Sequence, residues 1–206
     1  MYDVMLFCHI TGVVLLSVAV AVEIIDVVRL LGARDVAAAR SALATVRLTD
    51  RLAPISSVIV IVFGLGMAGM GGDHPKGTPK EFSFGAGWLV TVYIAFAIML
   101  AVGPGVNGKR LAAIATLAES TADGSLTPEL QRARRDPLLS FTVPLGACTI
   151  LLALFEMTNK PKGAANVIAA AVALVIAAGL QRVWQQRAGR ESAAVIPQQA
   201  TTDLVG

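Results

Sequence analysis

The chain predicts an all-α polytopic membrane protein with five transmembrane helices, its N-terminus outside and its C-terminus inside. Two observations predict the fold and a third the orientation. Residues 4–22, 52–72, 82–108, 137–155 and 163–181 contain no Asp, Glu, Lys or Arg, in runs of 19, 21, 27, 19 and 19 residues. At a 1.5 Å rise, about 20 apolar residues match the ~30 Å hydrocarbon core of a bilayer. Composition agrees: 55% of residues are hydrophobic and 15% charged, with a mean hydropathy of +0.70, where a soluble domain is about a quarter charged. The cations sort by loop. Arg29, Arg34, Arg40, Arg47, Arg51, Lys109, Arg110, Arg132, Arg134, Arg135, Arg182, Arg187 and Arg190 fall on one side, against Lys76, Lys80, Lys160 and Lys162 on the other. The positive-inside rule assigns the larger group to the cytoplasm.

The first span covers 4–28. The segment before it holds Asp3 and no Lys or Arg, so cleavage as a signal peptide is not expected despite Ala19-Val20-Ala21. Residues 36–52 contain no Gly or Pro and place Val36, Leu43 and Val46 among arginines, the pattern of a helix lying on the membrane surface. The second span covers 52–72, with Pro54 in its first turn, and the third covers 86–106, where Gly103-Pro104-Gly105 should kink or end it. Asp123-Gly124-Ser125 reads as a turn. Thr127 then reads as an N-cap, with Pro128 at the first helical position and Glu129 in the first turn. Pro137 closes that short helix and opens the fourth span, 137–157, which contains Pro144. The fifth covers 164–184. Residues 1–185 form one transmembrane domain, and 186–206 read as a disordered cytoplasmic tail. Tyr2, Trp88 and Trp184 sit at predicted span ends, where amphipathic rings favour the headgroup layer.

Burial of apolar surface drives no association inside lipid, so close backbone approach must do so. Gly64, Ala68 and Gly72 in the second span, and Ala97, Ala101 and Gly105 in the third, form four-residue-spaced small faces expected at helix–helix contacts. No internal repeat is evident, and five spans do not divide into halves, which argues against a transporter built from two equivalent repeats.

Polar groups inside spans are costly and are often functional. His9 lies about one and a half turns inside the first span and is a candidate haem or copper ligand. Met5, Cys8, His9, Met67, Met70, His74, Met157 and Glu156 fall toward the same ends of their helices, and soft sulfur and imidazole donors suit copper(I). Met5, Cys8, His9 and Glu156 are the metal candidates. A Glu156–Lys160 pair at the membrane surface is the simpler reading of Glu156. Glu23 and Asp26 share a face of the first helix, and Glu23 lies about 40° from the line of His9. They line a proton or cation path or, more simply, pair with nearby arginines. Asn166, Asp73 and Glu81 are possible caps or cation ligands. Cys8 and Cys148 lie at different depths and are expected to stay unpaired. No nucleotide loop, Ser/His/Asp set or metalloprotease helix is present, and no catalytic residue is assigned. Nucleic acid is not an expected partner; lipid, a second copy or another membrane protein is.

Several motifs are similar to those of a bacterial family of integral membrane proteins of unknown function, the DUF2269-like group. Phe7-Cys8-His9-Ile10-Thr11-Gly12 resembles the family's first-helix pattern. The segments 33–54, 64–69, 87–89, 103–111 and 155–161 also resemble it, so the likeness spans roughly residues 4–182. It implies a multi-pass protein of the bacterial inner (plasma) membrane and supplies no activity. A more distant likeness, to copper-resistance D-type membrane proteins, rests on His9 alone. The function expected is a non-enzymatic transport or accessory membrane component, with a haem- or copper-binding redox or metal-handling protein as the alternative.

Overall fold

A computed structural model describes residues 1–69 and 86–202, the last fifteen of these by backbone only. The described residues are 88% helical, and an isolated Asp35–Ser125 bridge is the sole β pairing among them. In order, the helices are α1 (Tyr2–Gly32), α2 (Val36–Leu43), α3 (Val46–Gly69), α4 (Gly87–Val102), a π-helical turn (Gly103–Gly108), α5 (Lys109–Ser120), α6 (Pro128–Arg134), α7 (Pro137–Asn159) and α8 (Ala164–Thr202). Five helical stretches are long and apolar enough to cross a membrane, as expected: Tyr2–Gly32, Val36–Gly69, Gly87–Ser120, Pro128–Asn159 and Ala164–Arg187.

All five outrun the apolar spans that define them. At 31 residues α1 is ~46 Å long against a ~30 Å hydrocarbon core, so its last turns stand clear of the apolar layer. Pro54 lies two turns into α3 rather than in its first turn, because 46–52 already belong to that helix. The helix of α8 continues to Thr202, beyond the boundary at 185; Gln, Arg and Ala in this stretch are good helix formers.

The Gly-Pro-Gly sequence after α4 neither ends nor simply kinks the helix. Pro104 has no N–H to give the carbonyl four residues back, and its ring crowds that carbonyl. The turn widens to π geometry over Gly103–Gly108, then resumes as α5, and the extra residue per turn places Asn107 inside the bundle at 3% exposure.

α1 and α3 pack along each other, α7 lies against α4, α8 and α1, and α8 packs mainly on α7. Burial within the protein follows: 44% of the α7 span against 11% of the α8 span, which makes α7 central and α8 peripheral.

The largest apolar core lies at the arginine-rich end of the bundle, called here the basic end. Val27 and Leu30 of α1, Val36 and Leu43 of α2, Val46 of α3, Leu111 and Ile114 of α5, Leu130 of α6 and Leu139 and Val143 of α7 form it. Val36, Leu43 and Val46 are therefore buried in protein, not laid on a lipid surface. Arginines stitch this cap together. Arg40 donates Nε to Ala118 O at 2.8 Å, Nη1 to Asp123 Oδ1 at 2.5 Å and Nη2 to Thr121 O, which satisfies the carbonyls that end α5. Arg134, buried, donates to Leu31 O at 3.1 Å and Ala33 O at 2.5 Å and so caps α1. Arg110 pairs with Asp136. Thr127 Oγ1 accepts from Leu130 N, and Asp35 and Asp136 cap α2 and α7, so the predicted α6 start and the Pro137 boundary both stand.

Candidate functional site

The opposite end of the bundle is built around His9. About two turns into α1, its ring lies against α3 and is 6% exposed. His9 Nδ1 is 2.9 Å from Val60 O. A carbonyl can only accept, so Nδ1 carries the proton and the Nε2 of a neutral ring keeps a lone pair. Nε2 has no partner. Two glycines allow this approach. A Cβ on Gly64 would lie 3.1 Å from His9 Cε1 and 3.2 Å from Nδ1, and one on Gly12 would lie 2.8 Å from Ile59 Cγ2 and 3.1 Å from Val60 N. His9 and Gly12, three apart on one face of α1, thus close on the same residue of α3. That is the physical content of the His-Ile-Thr-Gly spacing.

His9 borders a cavity of about 340 Å³ between α1, α3, α4 and α7. Its walls are apolar and partly aromatic, with Trp88, Tyr93, Phe96, Met67 and Met157 among them, and among the described residues no Asp, Glu, Lys or Arg lines it. The Tyr93 hydroxyl, like His9 Nε2, is buried without a partner.

Toward the basic end a second cavity of about 40 Å³ follows, large enough to admit water. Leu16 and Leu100 border both cavities. Glu23, Ser57, Asn107, Thr142 and Thr149 line the second. Thr142 Oγ1 is 2.5 Å from Asn107 Oδ1 and 2.8 Å from Leu138 O, and the Asn107 side chain and the Glu23 carboxyl face the same cavity. Asp26 Oδ2 accepts from Thr45 Oγ1 at 2.5 Å. Neither acid is in an ion pair within 4 Å among the described residues. Asp26 thus meets the neutral Thr45 hydroxyl directly and the Arg29 charge only from beyond ion-pair distance.

Glu156 differs from expectation more sharply. It is fully buried, not part of a surface pair with Lys160, because α8 folds over it. With its amide oriented so that donors meet acceptors, Asn166 Nδ2 donates to Pro161 O at 2.8 Å and Glu156 Oε2 at 3.2 Å, and Asn166 Oδ1 accepts from Trp88 N at 3.3 Å. Asn166 therefore joins α4, α7 and α8 rather than capping its own helix. Glu156 Oε1 has no hydrogen-bond partner.

Of the metal candidates, Met5 and His9 both face α3; Met5 Sδ lies 3.2 Å from where a Gly66 Cβ would be. Cys8 is half-buried on α1 and, like buried Cys148, is a free thiol. Among the described residues no group of three or more His, Cys, Asp or Glu is placed to hold a metal ion. Of the small-residue faces, Gly64 and Ala68 lie at contacts: Ala68 is buried with Trp88, Leu89, Val92 and Ala153. Ala97, Ala101 and Gly105 are exposed; α4 packs instead through Trp88, Leu89, Val92, Ala95 and Met99. Met70, Gly72, Asp73, His74, Lys76, Lys80 and Glu81 lie outside the described residues, as does the side chain of Arg190.

Sequence reasoning passed over Tyr93, Asn107, Ser57, Thr142 and Thr149. A signal existed for Asn107, the one amide within the 27-residue uncharged run. The hydroxyls carried none, because Ser and Thr are tolerated in spans by bonding back to their own helix, as Ser57 does to Ala53 O and Thr149 to Leu145 O.

The chain matches no protein-family model, and neither the curated proteins nor the solved structures compared with it contain a match.

Proposed function

We propose that this protein is a non-enzymatic membrane transport component that takes up a small, mainly apolar solute in the His9 cavity. One observation carries the reading. The two cavities lie in succession between the same helices with Leu16 and Leu100 at their junction, and the intramembrane His9, Glu23 and Asn107 all face them. Ionisable groups at membrane depth that face a cavity mark solute and proton routes. The orientation is N-terminus outside and C-terminus inside, by the cation asymmetry. Membership of the DUF2269-like group and a place in the bacterial inner membrane go with this reading. So does an accessory role through a second copy or another membrane protein.

The test uses single-cysteine variants in sealed vesicles, with Cys8 and Cys148 replaced by Ala. Ala97→Cys lines the first cavity, and Gly146→Cys the second. A membrane-impermeant thiol reagent should label Ala97→Cys from the His9 side and Gly146→Cys from the basic side. If neither cysteine reacts from either face, the transport reading fails. If crosslinking of native membranes yields only monomer, the accessory version fails.

A second reading, haem or copper bound by His9, is favoured by the Nδ1–H bond to Val60 O. Metal-ligating histidines generally donate their other ring N–H in this way. The other soft donors near His9 are thioethers, Met67 and Met157 in the same cavity wall and Met5 on the α3-facing side of α1. A visible spectrum and metal analysis of detergent-purified protein decide it. A Soret band or near-stoichiometric copper, lost in His9→Ala, would establish this reading; a colourless, metal-free sample would remove it.

A further inference from the structure

We infer that the guest of the His9 cavity is a hydrocarbon chain of a bilayer lipid, which enters sideways between α3 and α4. The inference rests on the reading of this cavity as a site for an apolar guest, and it names the guest's shape and its way in.

The way in follows from the packing. α3 packs along α1, and α4 packs on α7, yet α3 and α4 scarcely touch each other. They come together at the basic end, where the π-helical turn meets α3. Gly108 allows this, since a Cβ there would lie 2.8 Å from Asp50 Oδ1. Toward the His9 end the two helices part, and both line the cavity. α8 packs on α7, with lesser contacts to α4 and α1, so among the described residues no helix packs across the gap. Leu65 of α3 and Ala97 of α4 line the cavity and are also exposed. Both lie well inside the uncharged runs 52–72 and 82–108, at hydrocarbon depth, where the neighbours are acyl chains.

The shape and surface of the cavity suit such a chain. Its wall runs from Val60 to Ala68 on α3 and from Trp88 to Leu100 on α4, ~12 Å and ~18 Å at 1.5 Å per residue. A space of about 340 Å³ spread over that length is longer than it is wide, and it lies along the helices, as bilayer chains do. The surface it presents is carbon and sulfur, from Leu16, Ile61, Val92, Phe96, Met67 and Met157 among others. The two unpaired polar atoms of its wall residues, His9 Nε2 and the Tyr93 hydroxyl oxygen, are buried beneath that surface. A polar group carried into the slot would therefore lose its water and gain no hydrogen bond. A lipid avoids that cost, because its chain enters and its headgroup stays at the membrane surface. An empty slot forfeits the dispersion contacts of its lining, and a chain restores them.

The experiment photolabels the unaltered full-length protein in nanodiscs whose phospholipid carries a diazirine midway along one acyl chain, and maps the adducts by mass spectrometry. Val62, Ile94 and Leu151 face outward and report ordinary contact with the bilayer. Adducts are expected as well on Leu89, Val92 and Ala153, which line the cavity and are at most 7% exposed. Ala97→Phe narrows the gap at an exposed position; it should cause loss of the inward adducts and spare the outward ones, which serve as the control for folding. Phospholipid labelling of outward residues alone would overturn the inference, and inward adducts undiminished in Ala97→Phe would overturn the route between α3 and α4. A parallel arm uses plain phospholipid and a small free probe, adamantane diazirine. Inward labelling by this probe and not by the phospholipid would overturn the chain and leave the cavity as a site for a compact solute. Absence of inward labelling by either probe would overturn the inference, and thiol labelling of Gly146→Cys, in the second cavity, would then say separately whether the transport reading falls with it.

Discussion

The two ends of this bundle are made from similar helices and differ in what fills them. At the basic end, six helices close on a contiguous apolar core, and Arg40 and Arg134 meet the carbonyls that end α5 and α1. At the His9 end, α1, α3, α4 and α7 stand around about 340 Å³ of open space with two unpaired polar atoms on its wall. Interiors close-pack wherever nothing prevents it, and polar groups find partners. The basic end also holds a space, about 280 Å³ between α2, α3 and α5, but Arg40, Arg47, Asp50 and Glu119 line it; the His9 end is the one whose space is apolar, and there packing has been given up for a site.

The sharpest way to break this comparison is to cut into the cap. Leu130→Ala removes a fully buried side chain from α6, and a cavity of that kind costs about 2–5 kcal/mol. The thermal midpoint in mild detergent should fall by several degrees. An unchanged midpoint would mean that the cap is not the structural end of the molecule. Gly12→Ala comes next. Its Cβ would lie 2.8 Å from Ile59 Cγ2 and 3.1 Å from the Val60 backbone nitrogen, and backbone cannot swing aside as a side chain does. Forcing α1 from α3 should cost about 1–3 kcal/mol and lengthen the His9–Val60 bond. The effect should appear both as a lower midpoint and as a changed His9 ¹⁵N spectrum; a lower midpoint with an unaltered spectrum would separate the α1–α3 seam from the site.

How far the sequence reads through to this picture depends on the kind of signal. Spans are written in the absence of charge, which lipid enforces directly, so five uncharged runs give five crossing-length helices. Helix starts are written locally, so Thr127, Pro128 and Pro137 mark them correctly. Contacts are not written locally. The apolar stripe of Val36, Leu43 and Val46 is visible, yet its periodicity is the same whether lipid or α5 and α6 cover it. Ala101 and Gly105 carry the same small-residue spacing as Gly64 and Ala68, and only one set meets another helix. Glu156 stands four residues before Lys160, which suggests a surface pair, while its actual partner, Asn166, comes from a helix that folds over it. His9 could be singled out as a costly residue at membrane depth. That its Nδ1 answers to Val60 could not, because a backbone carbonyl has no residue signature.

Smaller effects test the space between the two ends. Thr142→Val keeps the shape of α7 and removes the hydroxyl that meets Asn107 Oδ1 at 2.5 Å. Hydrogen bonds between membrane helices average ~0.6 kcal/mol, so the midpoint should drop by a degree or two. Asn107 should lose its fixed orientation, which would appear as faster thiol labelling at Gly146→Cys in the same cavity. Unchanged labelling would show that the orientation of Asn107 does not depend on Thr142.

The smallest effect, at Ala97, separates the ends most cleanly when it is set beside the same substitution in the cap. Ala39 is fully buried in the cap, and Ala39→Leu would force a branched side chain among Val36, Leu43 and their neighbours, at a cost of about 1–3 kcal/mol. Ala97 borders the His9 cavity. Ala97→Leu adds the same atoms toward open space, where they displace no packed neighbour, and should leave stability within about 0.5 kcal/mol. Thermal unfolding of the two variants side by side measures the difference. If Ala97→Leu destabilises as much as Ala39→Leu, the cavity is filled in the folded protein, and the contrast between the ends disappears. If Ala97→Leu is neutral, the space is open in the folded protein and the contrast between the ends stands.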